Sequence, residues 1–135
     1  MKLILILSTL MAFSHVQAAS FLTEAQADMV LEASDNICGD TWCEGDYDYS
    51  FNAFICDSET KSCDLTFEYI SYILDDETYD IIGEERAEFT CTIENLTSYD
   101  QMIEIRNSYE QLTHELYESV GECTDEFYDL APEVQ

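Results

Sequence analysis

Basic residues are nearly missing from this chain: four Lys and Arg stand against thirty Asp and Glu, giving a formal charge of −26. A field of that sign repels phosphate backbones and anionic lipid, which excludes nucleic acid and membrane surfaces as partners. Proline is reduced to Pro132, and glycine to Gly39, Gly45, Gly83 and Gly121. There is no repeat and no low-complexity linker, so no boundary for a second domain is expected. Histidine is limited to His15 and His114, which leaves little for the commonest kind of general acid–base catalysis. Beyond the first eighteen residues no long apolar run recurs, so no membrane insertion is expected. Cys-x-x-Cys is absent as well, and with it the usual signature of a redox dithiol. Zinc sites want paired short cysteine spacings and usually histidine, and neither is found.

What is present begins with a leader. Residues 1–18, MKLILILSTLMAFSHVQA, have a positive start at Lys2, an apolar stretch from Leu3 to Phe13 and a small-residue site at Val16-Gln17-Ala18. That is the pattern of a secretory signal peptide, with cleavage expected after Ala18 or Ala19. No cysteine follows closely enough for a lipid anchor. Losing Lys2 with the leader takes the formal charge from −26 to −27. Residues 19–135 are then expected to be one acidic, disulfide-rich domain, exported to the periplasm or secreted. Disordered acidic chains are poor in aromatics, whereas this one holds nine Tyr, seven Phe and a Trp. A folded domain of this size buries roughly two thirds of its unfolded surface.

All six cysteines, Cys38, Cys43, Cys56, Cys63, Cys91 and Cys123, lie behind the leader, as disulfide staples in an oxidising compartment would. Six cysteines allow fifteen pairings. Spacing favours one of them. Cys56 and Cys63 flank a polar loop, Cys38 and Cys43 close a short ring, and Cys91 and Cys123 remain to pin the last helix to a strand.

Periodicity gives an α+β class: an antiparallel three- to four-stranded sheet packed against an N-terminal helix and a long C-terminal helix, disulfide-stapled. Thr23-Glu24-Ala25-Gln26 is a capping box, followed at helical spacing by Met29, Val30, Ala33 and Ile37. Tyr47, Tyr49, Phe51, Ala53 and Ile55 alternate in a first strand, and Cys63, Leu65, Phe67 and Tyr69 in a second. Cys56 falls out of phase with Ile55, which implies a bulge or a strand buried on both faces. Ile70, Tyr72, Ile73 and Leu74 are apolar on both faces, which implies cover from a helix. A third strand sets Ala87, Phe89, Cys91 and Ile93 against Glu88, Thr90, Thr92 and Glu94. The final helix is expected from Ser98, with Gln101 completing a second capping box. Its stripe would be Met102, Ile105, Tyr109, Leu112, Leu116 and Val120, and Gly121 would end it. Phe89, Ile93, Leu65, Phe67, Leu112, Leu116, Ile105 and Tyr109 are expected to form the contact between sheet and helix.

Cys38-Gly39-Asp40-Thr41-Trp42-Cys43-Glu44-Gly45-Asp46-Tyr47-Asp48 reads as a tightly bent loop that displays Asp40, Trp42, Glu44, Asp46 and Asp48. Such a loop is a candidate for a partner or for a cation. The EF-hand pattern fails, because Phe51 stands where the loop glycine belongs and Asp57 where glutamate is usual. A structural corner with solvated acids is the plainer reading. CGDTWCEGDY followed by a cysteine-flanked hairpin, residues 38–67, resembles small exported Cys-rich proteins of unknown function from predatory Gram-negative bacteria. The resemblance implies export and the same disulfide corner, and it brings no activity with it. Asn95-Leu96-Thr97 also matches a glycosylation acceptor.

The functional expectation is a non-enzymatic interaction module for a basic protein partner. Tyrosines interleave with acids at Tyr47, Tyr49, Tyr72 and Tyr79, a mixture that supplies packing area and hydrogen bonds at an interface. The alternative is a weak divalent-cation binder, with Ca²⁺ as the ligand. No cofactor is expected otherwise, and no catalytic residue is assigned.

Overall fold

The capping box at Thr23–Gln26 closes as its residues dictate. In the computed structural model, which describes residues 20–37, 46–128 and 130, Thr23 Oγ1 accepts from the Gln26 N–H at 3.2 Å. Gln26 Oε1 accepts from the Thr23 N–H at 3.0 Å, so two orphan donors of the first turn are satisfied reciprocally. The helix α1 (Glu24–Ile37) buries Val30, Ala33 and Ser34. Ser34 is satisfied within the helix, donating back to the Val30 carbonyl at 2.8 Å.

Three long strands follow, β1 (Tyr47–Asp57), β2 (Ser62–Leu74) and β3 (Ile81–Glu94), forming an antiparallel sheet in the order β1-β2-β3. The β1–β2 turn is tight: Lys61 takes a left-handed φ of 54°, and the Asp57 carboxylate caps the Glu59 N–H. The register shifts between Phe51 and Ala53, so the phase break is a bulge at Asn52. Tyr49 and Phe51 face the core before it, and Phe54 and Cys56 after it. Ile55 is thereby turned out and is 67% exposed.

The inner face of the sheet is a set of cross-strand rows: Cys56–Cys63–Ile93, Phe54–Leu65–Cys91, Phe51–Phe67–Phe89 and Tyr49–Tyr69–Ala87. Cys56 and Cys63 are directly paired and bonded, with their Cα atoms 3.9 Å apart, as the spacing argument expects. Cys91 and Cys123 form the second bridge. The expected Cys38–Cys43 pair lies outside the described residues, among which no cysteine is free.

The C-terminal third departs from expectation. No helix starts at Ser98. Gln101 does reach back to the Ser98 N–H at 3.3 Å, but the turn it closes is a single 3₁₀ turn, Tyr99–Gln101. A two-stranded sheet follows, β4 (Ile103–Arg106) paired with β5 (Tyr109–Leu112). Asn107 and Ser108 join them, both at positive φ, 53° and 68°. Two such residues between paired strands make the mirror-image turn that suits the twist of a hairpin. The helical spacing in this stretch is therefore coincidental. Met102, Ile103 and Leu112 are buried, but Ile105 and Tyr109 are 77% and 70% exposed and take no part in the core.

The helix α2 (His114–Tyr128) begins at the end of β5. Thr113 caps it, its Oγ1 accepting from the Leu116 N–H at 3.3 Å and donating to the Gln101 carbonyl at 2.6 Å. Gly121 does not stop it. A glycine inside a helix costs about 1 kcal/mol relative to alanine. Continuing past it buries Cys123 and Thr124 and carries Phe127 onto the sheet. The core residues of both helices belong to one hydrophobic cluster with the inner face. Of the expected sheet–helix contact, Leu65, Phe67, Ile93, Leu112 and Leu116 are buried and Phe89 is partly so.

Candidate functional site

Both described helices pack on one side of the three-stranded sheet, and no described helix covers the other side. Its rows can be read from the register: Ile55–Asp64–Thr92, Ala53–Thr66–Thr90, Ser50–Glu68–Glu88, Asp48–Ile70–Arg86 and Tyr72–Glu84. It is a hydroxyl and carboxylate surface. Thr66 and Thr90 hydrogen-bond to each other at 2.9 Å, and Thr92 donates to Asp64 at 2.7 Å. Arg86 is the cation of these rows, and it is already held by Glu84 at 2.8 Å and Glu68 at 3.1 Å. Hydrogen bonding to Glu84 first, and Glu68 after it, raises the Arg86 pKa further above its ordinary value. Glu88, Thr90, Thr92 and Glu94 are exposed. Ile70 is the buried apolar residue of this face, and Tyr72 beside it is half-buried. Burial raises the Tyr72 hydroxyl pKa, with the charges of Asp48 and Glu84 adding to it.

The two edges of the sheet differ. Along β1, α1 packs closely, and the Asp35 carboxylate accepts the outward N–H of Phe51 at 3.2 Å. Burial raises the Asp35 pKa, more than the Phe51 bond lowers it. Along β3, no described strand is paired on the outer side. A groove of ≈ 500 Å³ runs there between Thr90–Glu94 and α2, walled by Ser119, Glu122, Glu126 and Phe127.

Beyond β1 the β2–β3 hairpin continues with no further described strand beside it, and Ile73 and Leu74, for which the sequence predicts helix cover, are half-buried. Its far end exposes Tyr79, Ile81 and Ile82 at 74%, 61% and 65%. Asp75 organises the connecting turn. Its Oδ1 accepts from the Glu77 and Thr78 N–H groups at 2.9 and 2.8 Å, which lowers its pKa.

Of the loop residues singled out from sequence, Asp40, Trp42 and Glu44 lie outside the described residues. Asp46 is exposed, and its carbonyl accepts from the Tyr72 N–H at 2.8 Å. Asp48 is half-buried, its Oδ1 accepting from the Tyr49 N–H at 2.8 Å. Among the described residues no group of three or more His, Cys, Asp or Glu is placed to hold a metal ion. The four interleaved tyrosines separate. Tyr49 is buried, and Tyr47 stacks on Tyr69 at 5.5 Å inside an aromatic cluster that Tyr128 joins. Burial raises the Tyr49 hydroxyl pKa strongly, so it is not a surface group. Tyr72 is half-buried on the outer face, and Tyr79 is exposed. His114 is exposed, 4.0 Å from Glu118. Asn95 is exposed at a positive φ of 63° just after β3.

Glu88, Glu94, Glu122 and Glu126 were not singled out from sequence. Alternation does mark Glu88 and Glu94 as facing away from the core, but not that this face stays uncovered. No helix among the described residues is long and apolar enough to cross a membrane. No family model matches the chain, and no curated protein or solved structure is similar to it.

Proposed function

We propose that the protein is an exported, non-enzymatic interaction module whose partner is a cationic protein. The observation that supports this most is the carboxylate-rich sheet face that no described helix covers. Its rows carry Asp48, Asp64, Glu68, Glu84 and Glu88 against Arg86, a cation already occupied by two of them. A basic partner laid on that face meets five carboxylates against the one guanidinium of Arg86 and gains charge complementarity. The formal charge of −26 also far exceeds the magnitude of about 2–8 that solubility asks of a small domain. The staples hold the face in one shape, which lowers the ordering cost of binding.

The test is retention on immobilised mature protein from envelope or host extract at low salt, followed by a high-salt wash. A retained fraction enriched in basic proteins and released by salt is the expected result. If nothing is retained at low salt, or the retained proteins show no basic excess, the charge is only a coat.

A further inference from the structure

Resting on that reading, we propose that the outer edge of β3, together with the groove beside α2, is a strand-addition site for an extended segment bearing lysine or arginine. The direction of the β3 backbone groups follows from two observations on β2. Cys56 and Cys63 face each other with Cα atoms 3.9 Å apart, the close spacing of a pair that does not exchange backbone hydrogen bonds. Tyr72, an odd number of residues along β2, donates its N–H to Asp46. Both place the odd-numbered residues Cys63 to Ser71 in hydrogen bonding with β3 and not with β1. Through the unbroken register, their partners Ile93, Cys91, Phe89, Ala87 and Glu85 spend their backbone groups on β2. The even-numbered residues Glu84, Arg86, Glu88, Thr90, Thr92 and Glu94 therefore aim N–H and C=O at the edge on which no described strand is paired.

A strand laid about 4.8 Å outside β3 would complete those bonds. Its side chains on one face would join the row of Glu84, Glu88 and Glu94. Those on the other face would enter the groove against Phe127, Glu122 and Glu126. Both faces of the guest thus meet carboxylates, and one meets an aromatic ring. A second copy of this chain is a poor guest, because pairing β3 with β3 would set glutamates against glutamates. Exposed edges are commonly blunted with charge against self-association. Here the charge is net negative, with Arg86 held by Glu84 and Glu68, which favours a cationic guest.

The probe is a synthetic peptide of alternating lysine and valine, added to the oxidised protein at low salt, with an alternating glutamate and valine peptide as control. Amide exchange at Glu88, Thr90 and Thr92 should slow by roughly tenfold or more with the lysine peptide and stay unchanged with the control. Thr92→Pro removes one outward N–H and no ladder bond, so it should fold and bind the lysine peptide far more weakly. E122Q/E126Q, on an exposed helix face, should weaken binding severalfold without lowering the thermal melt. Binding of the lysine peptide without protection of those amides, or undiminished binding by Thr92→Pro, overturns the site. The cationic-partner reading then survives if extract retention still selects basic proteins. Protection of the same amides in the protein alone as its concentration rises would assign the edge to a second copy and also overturn the proposal.

Discussion

Phe127 of α2 lies stacked on Phe89 of β3, with ring centroids 4.9 Å apart and planes within 20°. Four residues earlier on the same helix, Cys123 is bonded to Cys91, two residues further along the same strand. One helix turn is thus matched to one strand repeat, and a covalent and an aromatic contact fix the same pair of elements. Replacing Cys91 and Cys123 by alanine should cost about 3.5–4 kcal/mol through regained loop entropy, against about 2.5 for Cys56 and Cys63. In a double-mutant cycle, Phe89→Ala and Phe127→Ala should show a coupling of about 0.5–1.5 kcal/mol. Urea denaturation of the oxidised variants measures both, and a coupling near zero would mean the stacking adds nothing beyond burial.

Leu112 and Tyr109 separate the observed hairpin from a continuous helix. Leu112 is 3% exposed, and Leu112→Ala should destabilise by about 2–5 kcal/mol. Ile105→Ala and Tyr109→Ala, at exposed positions, should stay within about 0.5 kcal/mol. Losses of several kcal/mol at all three positions would restore the single long stripe.

Ser108 holds a positive φ at the second position of the β4–β5 turn, where glycine carries no steric penalty. Ser108→Gly should stabilise by about 0.5–1 kcal/mol, read as a rise in melting temperature. A fall would show that the serine side chain contributes to the turn.

Added sodium chloride should act oppositely on fold and on binding. Screening relieves self-repulsion at a formal charge of −26, so the melting temperature should rise between low and physiological salt. The same salt should weaken any cationic partner, chiefly by slowing association. A melting temperature indifferent to salt would imply that the carboxylates are spaced widely enough not to repel.

Asp75 and Asp35 should respond to pH with opposite signs. The Asp75 pKa is lowered in the fold by the Thr78 and Glu77 N–H groups, so its contribution is present above the ordinary carboxylate pKa and lost as pH falls through the lower folded value. The Glu77 and Thr78 amide resonances should move together with a midpoint below the usual carboxylate range. The Asp35 pKa is raised by burial, so its ionisation removes stability as pH rises from the ordinary value through the folded one. Asp35→Asn keeps an oxygen for the Phe51 N–H and should be at least as stable as the parent at neutral pH. A marked loss there would mean that the charge itself holds the β1 edge.

Local chemistry determined most of the first two thirds of this protein. The Thr23–Gln26 capping box, the Cys56–Cys63 hairpin, and the alternation from Ala87 to Glu94 depend on residues close in sequence, and each formed where its pattern lay. The fold class followed from them. Beyond Ser98, local pattern favoured a helix, and tertiary structure decided otherwise. Met102, Ile103 and Leu112 could be buried together through a hairpin that turns on two left-handed residues, while Ile105 and Tyr109 were left in water. Apolar spacing reports that residues can share a face. It does not report whether the rest of the chain offers a surface to bury that face against. The same reason hid the open side of the sheet. Glu88 and Glu94 announce that they point outward, but only the placement of both helices on the inner face left the β3 edge without a described strand beside it and set Glu122 and Glu126 along its groove.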